Sequence, residues 1–114
     1  MCPATTPVGY TTTSSKQGRS RQQHGSPADF LSVLAGYDIQ YAARGALYSA
    51  AEIRKTKNYL LSAFGYQKDM KGFSVVEVLS PCPTNWGLTA TLSEDRIRNE
   101  ITGLFQPGVF RDRG

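Results

Sequence analysis

Long hydrophobic runs are missing from these 114 residues: none approaches the ~20 apolar residues that a membrane-spanning helix needs. No membrane partner is therefore expected. The opening stretch MCPATTPVGYTTTSS has no basic region followed by an apolar core, so no secretory signal is expected and the chain reads as cytoplasmic. Histidine is limited to His24 and cysteine to Cys2 and Cys82. That inventory does not close a four-ligand metal site, so a metal held through Cys82 needs ligands from another segment. A Cys2–Cys82 disulfide fits the count, but nothing points to an oxidising compartment. Strong charge is also missing. Thirteen Lys and Arg against nine Asp and Glu give a net +4, too mild to name an anionic partner. Lys16, Arg19, Arg21 and His24 cluster without interleaved aromatics, unlike a single-strand nucleic-acid platform, and no nucleic-acid partner is expected. There is no internal repeat.

What is present is one domain's worth of α/β pattern. Residues 1–26 are polar, rich in Thr, Pro and Gly, and read as a loop. Ser26-Pro27-Ala28-Asp29 predicts a helix start, with Ser26 as N-cap and Pro27 at the first helical position. Phe30, Leu31 and Leu34 form its apolar edge and Gly36 its stop. A short strand is expected around 39–42. Ser49-Ala50-Ala51-Glu52 has the form of a capping box and opens a helix predicted to run to residue 64, burying Ile53, Leu60 and Phe64, with Gly65 as its stop.

The stretch 73–89, FSVVEVLSPCPTNWGLT, carries the strongest signal. Its first part is a β-branched apolar run that predicts a strand buried on both faces in a parallel sheet. Glu77 within that run requires a partner, which predicts a neighbouring basic residue. Pro81 and Pro83 then stop the strand and flank one thiol. This puts Cys82 on a stiff loop at the strand's carboxyl end, where open parallel sheets bind ligands. Two readings of Cys82 stand side by side, a soft metal ligand and a buried structural thiol. Ser93 is expected to cap a last helix, with Ile97, Ile101 and Leu104 as its buried stripe, and 105–114 to pack as an extended tail. The expected organisation is thus a loop-rich 1–26, a helix and βαβ core over 27–104, and the tail 105–114. Two strands leave unpaired edges, which predicts a part of a larger assembly.

The motif Glu77-Val78-Leu79-Ser80-Pro81-Cys82-Pro83-Thr84-Asn85-Trp86-Gly87 resembles the thiamine diphosphate-binding β subunit of 2-oxoacid:ferredoxin oxidoreductases, in its C-terminal part. Tyr41-Ala42-Ala43-Arg44, the helix from Lys55, Lys71-Gly72-Phe73 and the Thr-rich start with Thr5, Thr6 and Thr11 to Thr13 resemble the same family in the same order. The resemblance implies an incomplete thiamine diphosphate-binding fold, a parallel sheet flanked by helices. It implies Cys82 as one ligand of a 4Fe–4S cluster, with Thr5 near the thiamine diphosphate. The Cys-x-x-Cys pair and the further Cys that would complete the cluster, and the Gly-Asp-Gly segment that would hold Mg²⁺ and the diphosphate, have no counterpart in the sequence. The implied reaction is coenzyme A-dependent oxidative decarboxylation of a 2-oxoacid, 2-oxoglutarate or a branched-chain one. The implied partners are an α subunit and ferredoxin. The alternative is a non-catalytic truncated homologue that serves as an assembly or interaction module.

Overall fold

The small residues of Tyr-Ala-Ala-Arg-Gly-Ala build the centre of the sheet. In the computed structural model, which describes residues 20–114 with Val8, Gly9, Thr11 and Gly18, this segment is β1 (Tyr41–Ala46), and all six residues are buried. The described elements run α1 (Arg21–His24), α2 (Phe30–Leu34), β1, α3 (Ala50–Lys68), β2 (Ser74–Leu79), α4 (Pro83–Trp86), α5 (Ala90–Arg96) and a π-helical turn (Ile97–Ile101). They close with α6 (Thr102–Leu104) and β3 (Gly108–Asp112).

The sheet order is β2-β1-β3, with β1 parallel to β2 and antiparallel to β3. The sheet is therefore mixed rather than parallel throughout, and the tail expected as an extended arm is its third strand. Phe110 is the extra residue of a bulge, since Ala42 faces Arg111 and Ala43 faces Val109. Arg111 ties this strand to the end of α2, donating to the carbonyls of Tyr37 at 2.8 Å and Ala35 at 3.2 Å.

Alternation along β1 sorts the layers. Gly45 faces α3, and a Cβ there would collide with the Thr56 side chain. Tyr41 faces α3 too, its ring 5.6 Å from that of Tyr66. On the other face, Ala42 packs with Leu31 and Ile39, and Ala46 packs with Leu79, Trp86, Ile97, Ile101 and Phe105. The central strand is thus the one buried on both faces. β2, predicted for that role, lies at the sheet's edge and is half-buried.

Several helix boundaries move for physical reasons. Asp29, not Ser26, caps α2, its carboxylate accepting from the Ser32 amide at 3.4 Å. Ser49 caps α3 as expected, accepting from the Glu52 amide at 3.2 Å, while Glu52 turns instead to Lys55 at 2.7 Å. Gly65 does not stop α3, which continues to Lys68 before Met70 (φ 55°) and Gly72 (φ 134°) turn the chain. Ile53, Leu60 and Phe64 stay exposed, because the face of α3 turned to the sheet carries buried Thr56 with half-buried Tyr59, Ala63 and Tyr66. Thr89 caps α5, and Ser93 is buried one turn inside it. The π turn adds a residue per turn, so the stripe that begins with Ile97 and Ile101 continues to Phe105 and leaves Leu104 exposed.

Candidate functional site

β1 and β2 are parallel and end together, Ala46 opposite Leu79, and the Leu47 amide donates to the Leu79 carbonyl at 3.0 Å. Ser80-Pro81-Cys82 leaves this carboxyl edge, where proline ends the ladder. One helical turn follows, closed by the Trp86 amide donating to the Cys82 carbonyl at 3.0 Å. The Leu88 amide then donates to the Pro83 carbonyl at 2.9 Å, and Gly87 (φ 67°) reverses the chain. Cys82 is a half-buried free thiol, leaning with Tyr48 and Leu88 on the apolar cluster around Trp86 and Ile97.

Two guanidinium–aromatic stacks stand in this region. Arg96 lies over Trp86 at 5.3 Å and Arg98 over Tyr48 at 5.4 Å. Arg98 also donates to the Tyr48 carbonyl at 3.1 Å, fastening the last helices to the loop that opens α3. Their charges are answered locally, by Asp95 at 3.1 Å for Arg98 and Glu100 at 3.6 Å for Arg96. These contacts keep Trp86 buried and fix the turn that carries the thiol.

The partner demanded by Glu77 is Arg44. Arg44 is 1% exposed, its Nε 2.5 Å from Glu77 and its Nη2 2.5 Å from Asp29. It donates to the Gln106 carbonyl at 3.4 Å, and its guanidinium lies 5.4 Å from the Phe105 ring centre and 5.2 Å from that of Phe110. One cation thus joins α2, β1, β2, and the tail. Burial pushes the Asp29 carboxyl up, but the Arg44 guanidinium and the Ser32 amide outweigh it and leave the pKa lowered. The joint was legible in outline, since lone opposite charges stand at matching places in two apolar strands.

Among the described residues, no group of three or more His, Cys, Asp or Glu is placed to hold a metal ion. Thr5, Thr6, Thr12, Thr13, Cys2 and Arg19 lie outside the described residues, and Thr11 is exposed. Of the expected site residues, only Cys82 has a described position. No described helix is long and apolar enough to cross a membrane.

A layered α/β unit with a thiol held at the carboxyl ends of its parallel strands has the geometry of a ligand-binding edge. The chain is similar to the ketoisovalerate oxidoreductase subunit VorA of Methanothermobacter marburgensis and to that of Methanothermobacter thermautotrophicus. Identity to each is 34% over 110 residues, 96% of this chain and 23% of the relative. No protein-family profile matches the chain, and no solved structure matches it. The likeness runs along almost the whole of this sequence. The chain spans about a quarter of the length of these curated relatives.

Proposed function

We propose that the chain is the C-terminal part of the thiamine diphosphate-binding β subunit of a 2-oxoacid:ferredoxin oxidoreductase, with Cys82 one thiolate ligand of its 4Fe–4S cluster. The observation that carries this reading is the placement of Cys82. The thiol stands half-buried on a braced turn at the sheet's carboxyl edge, within a chain 34% identical to oxidoreductase subunits.

The donor set fits one corner of a cluster. Thiolate is the ligand that iron–sulfur centres use, and four are needed. Among the described residues Cys82 is the sole free cysteine, so the remaining ligands belong to other segments. The same holds for Mg²⁺ and thiamine diphosphate, for which the described residues offer no acidic cluster. When bound, thiamine diphosphate supplies the carbanion chemistry of decarboxylation, and the cluster carries single electrons toward ferredoxin.

This chain's own residues hold and shield. The turn over 83–86 fixes the sulfur's approach. Buried Trp86, covered by Arg96, keeps water from one side of the loop. The substrate class is a 2-oxoacid, branched-chain or 2-oxoglutarate, with coenzyme A as acyl acceptor and an α subunit as partner. A cytoplasmic site accords with a free thiol.

The test is to tag the chain in its own host, isolate the complex that carries it, and supply a 2-oxoacid, coenzyme A and a low-potential electron acceptor. Acceptor reduction dependent on both substrates is the expected result. A complex without such activity would favour the assembly-module reading instead.

A further inference from the structure

β2 has the composition of an interior strand and the position of an edge. Exposed edges are ordinarily blunted by charge, proline or a bulge. Ser74-Val75-Val76-Glu77-Val78-Leu79 carries one charge, and that charge turns to Arg44. No described residue pairs with the outer side of β2. Beside it, α3 leaves Ile53, Leu60 (38% exposed) and Phe64 (70% exposed) in solvent. A cleft of about 220 Å³ between helix and strand is lined by Leu60, Phe64, Ser74 and Val76. The Ser74 hydroxyl is buried there without a hydrogen-bond partner among the described residues. An unmet hydroxyl, an unblunted ladder and a large apolar patch in one place describe a surface built to be covered.

The charges around the patch decide between occupants. Positions 53, 57, 60, 64 and 68 follow one another by three or four and so share a face of α3. Lys57 and Lys68, both exposed, therefore border the apolar stripe. A second copy laid on this face by two-fold symmetry would bring these lysines toward their own counterparts. A different polypeptide with carboxylates at the rim has no such penalty. The matched stretch is 23% of each relative's length, so the relatives possess a large remainder from which such a segment can come.

We infer that the outer edge of β2 and the Leu60–Phe64 side of α3 are the docking surface for a β-strand from a polypeptide corresponding to the unmatched remainder of these relatives. The strand extends the sheet through backbone hydrogen bonds, as in strand addition. Its apolar side chains enter the cleft beside α3, it gives Ser74 a polar neighbour, and acidic groups at its rim meet Lys57 and Lys68. This rests on the proposed subunit reading.

The test places a photo-crosslinking amino acid at Leu60 or Phe64, both already exposed, in the tagged chain within its host, with Val33 on the other side of the sheet as control. Crosslinks from 60 and 64, but not 33, to a polypeptide similar to the relatives' remainder are the expected outcome. Crosslinks to a second copy, to residues 1–19 of the same chain, to an unrelated protein, or to nothing would each overturn the proposal. Leu60→Glu with Phe64→Glu should weaken recovery of the partner at least tenfold. Iron content measured on the same complexes separates this interface from the cluster assignment, because a Cys82 variant that loses iron should keep the Leu60 crosslink.

Discussion

Replacing Arg44 by methionine keeps an unbranched side chain of similar reach and removes the charge, so it isolates what the guanidinium does. In the native fold that group is 1% exposed and meets Glu77 and Asp29, each at 2.5 Å. Arg44→Met leaves the Glu77 carboxylate, 21% exposed, facing an apolar thioether between two rings. Removing one partner of a buried pair costs about 3–5 kcal/mol. Asp29 is 34% exposed, so water recovers it and its share is about 1 kcal/mol or less. The stacks on Phe105 and Phe110 add roughly 0.5–1 kcal/mol each. Together these come to about 4–8 kcal/mol, a large part of an ordinary domain's 5–15 kcal/mol. Urea unfolding followed by far-ultraviolet circular dichroism reads the change. Pairing Arg44→Met with Glu77→Leu in a double-mutant cycle should return part of the loss, since the second change removes the stranded carboxylate. A single Arg44→Met within about 1 kcal/mol of the native chain would refute the reasoning, because the joint would then contribute nothing net.

Asp29 gives a pH signature of the same joint. Its folded pKa is lowered, so its contribution is complete above the unfolded value near 3.8 and is lost as pH falls through the lower folded value. Asp29→Asn should flatten stability below about pH 4 in acid titrations, and an unchanged acid limb would count against the pairing. Gly45→Ala should destabilise by about 1–3 kcal/mol through the collision with Thr56. Thr56→Ala should return only part of this in thermal melts, because the Thr56 Cβ also lies in the way. Ser49→Ala, which removes the acceptor for the Glu52 amide, should cost about 1 kcal/mol by urea titration.

The turn chemistry was the most readable part of the sequence. Pro81 and Pro83 bracket Cys82 and place it past the end of β2, and Ser49 announces α3 correctly, because local sterics and short hydrogen bonds decide both. Layer assignments depended on neighbours. The β-branched run 73–79 looks interior, yet it has β1 on one side and no described strand on the other. The strand that is buried on both faces is made of Ala, Gly, one Tyr and one Arg, and the burial of that Arg depends on Glu77 thirty-three positions away. Leu104 fits a regular 3.6-residue stripe, and the π turn at 97–101 hands its place to Phe105. The tail's strand was hidden for a similar reason, since Val109 and Arg111 pair with β1 across a bulge at Phe110 rather than along an alternating register.

The central claim is that Cys82 ligates a cluster, and iron with acid-labile sulfide in the complex isolated through this chain tests it most directly. Cys82→Ala should lower both relative to the native complex, while Ser80→Ala two positions away leaves them unchanged. Full iron and sulfide in Cys82→Ala, with electron transfer to the acceptor intact, would contradict the account and return the thiol to a packing role.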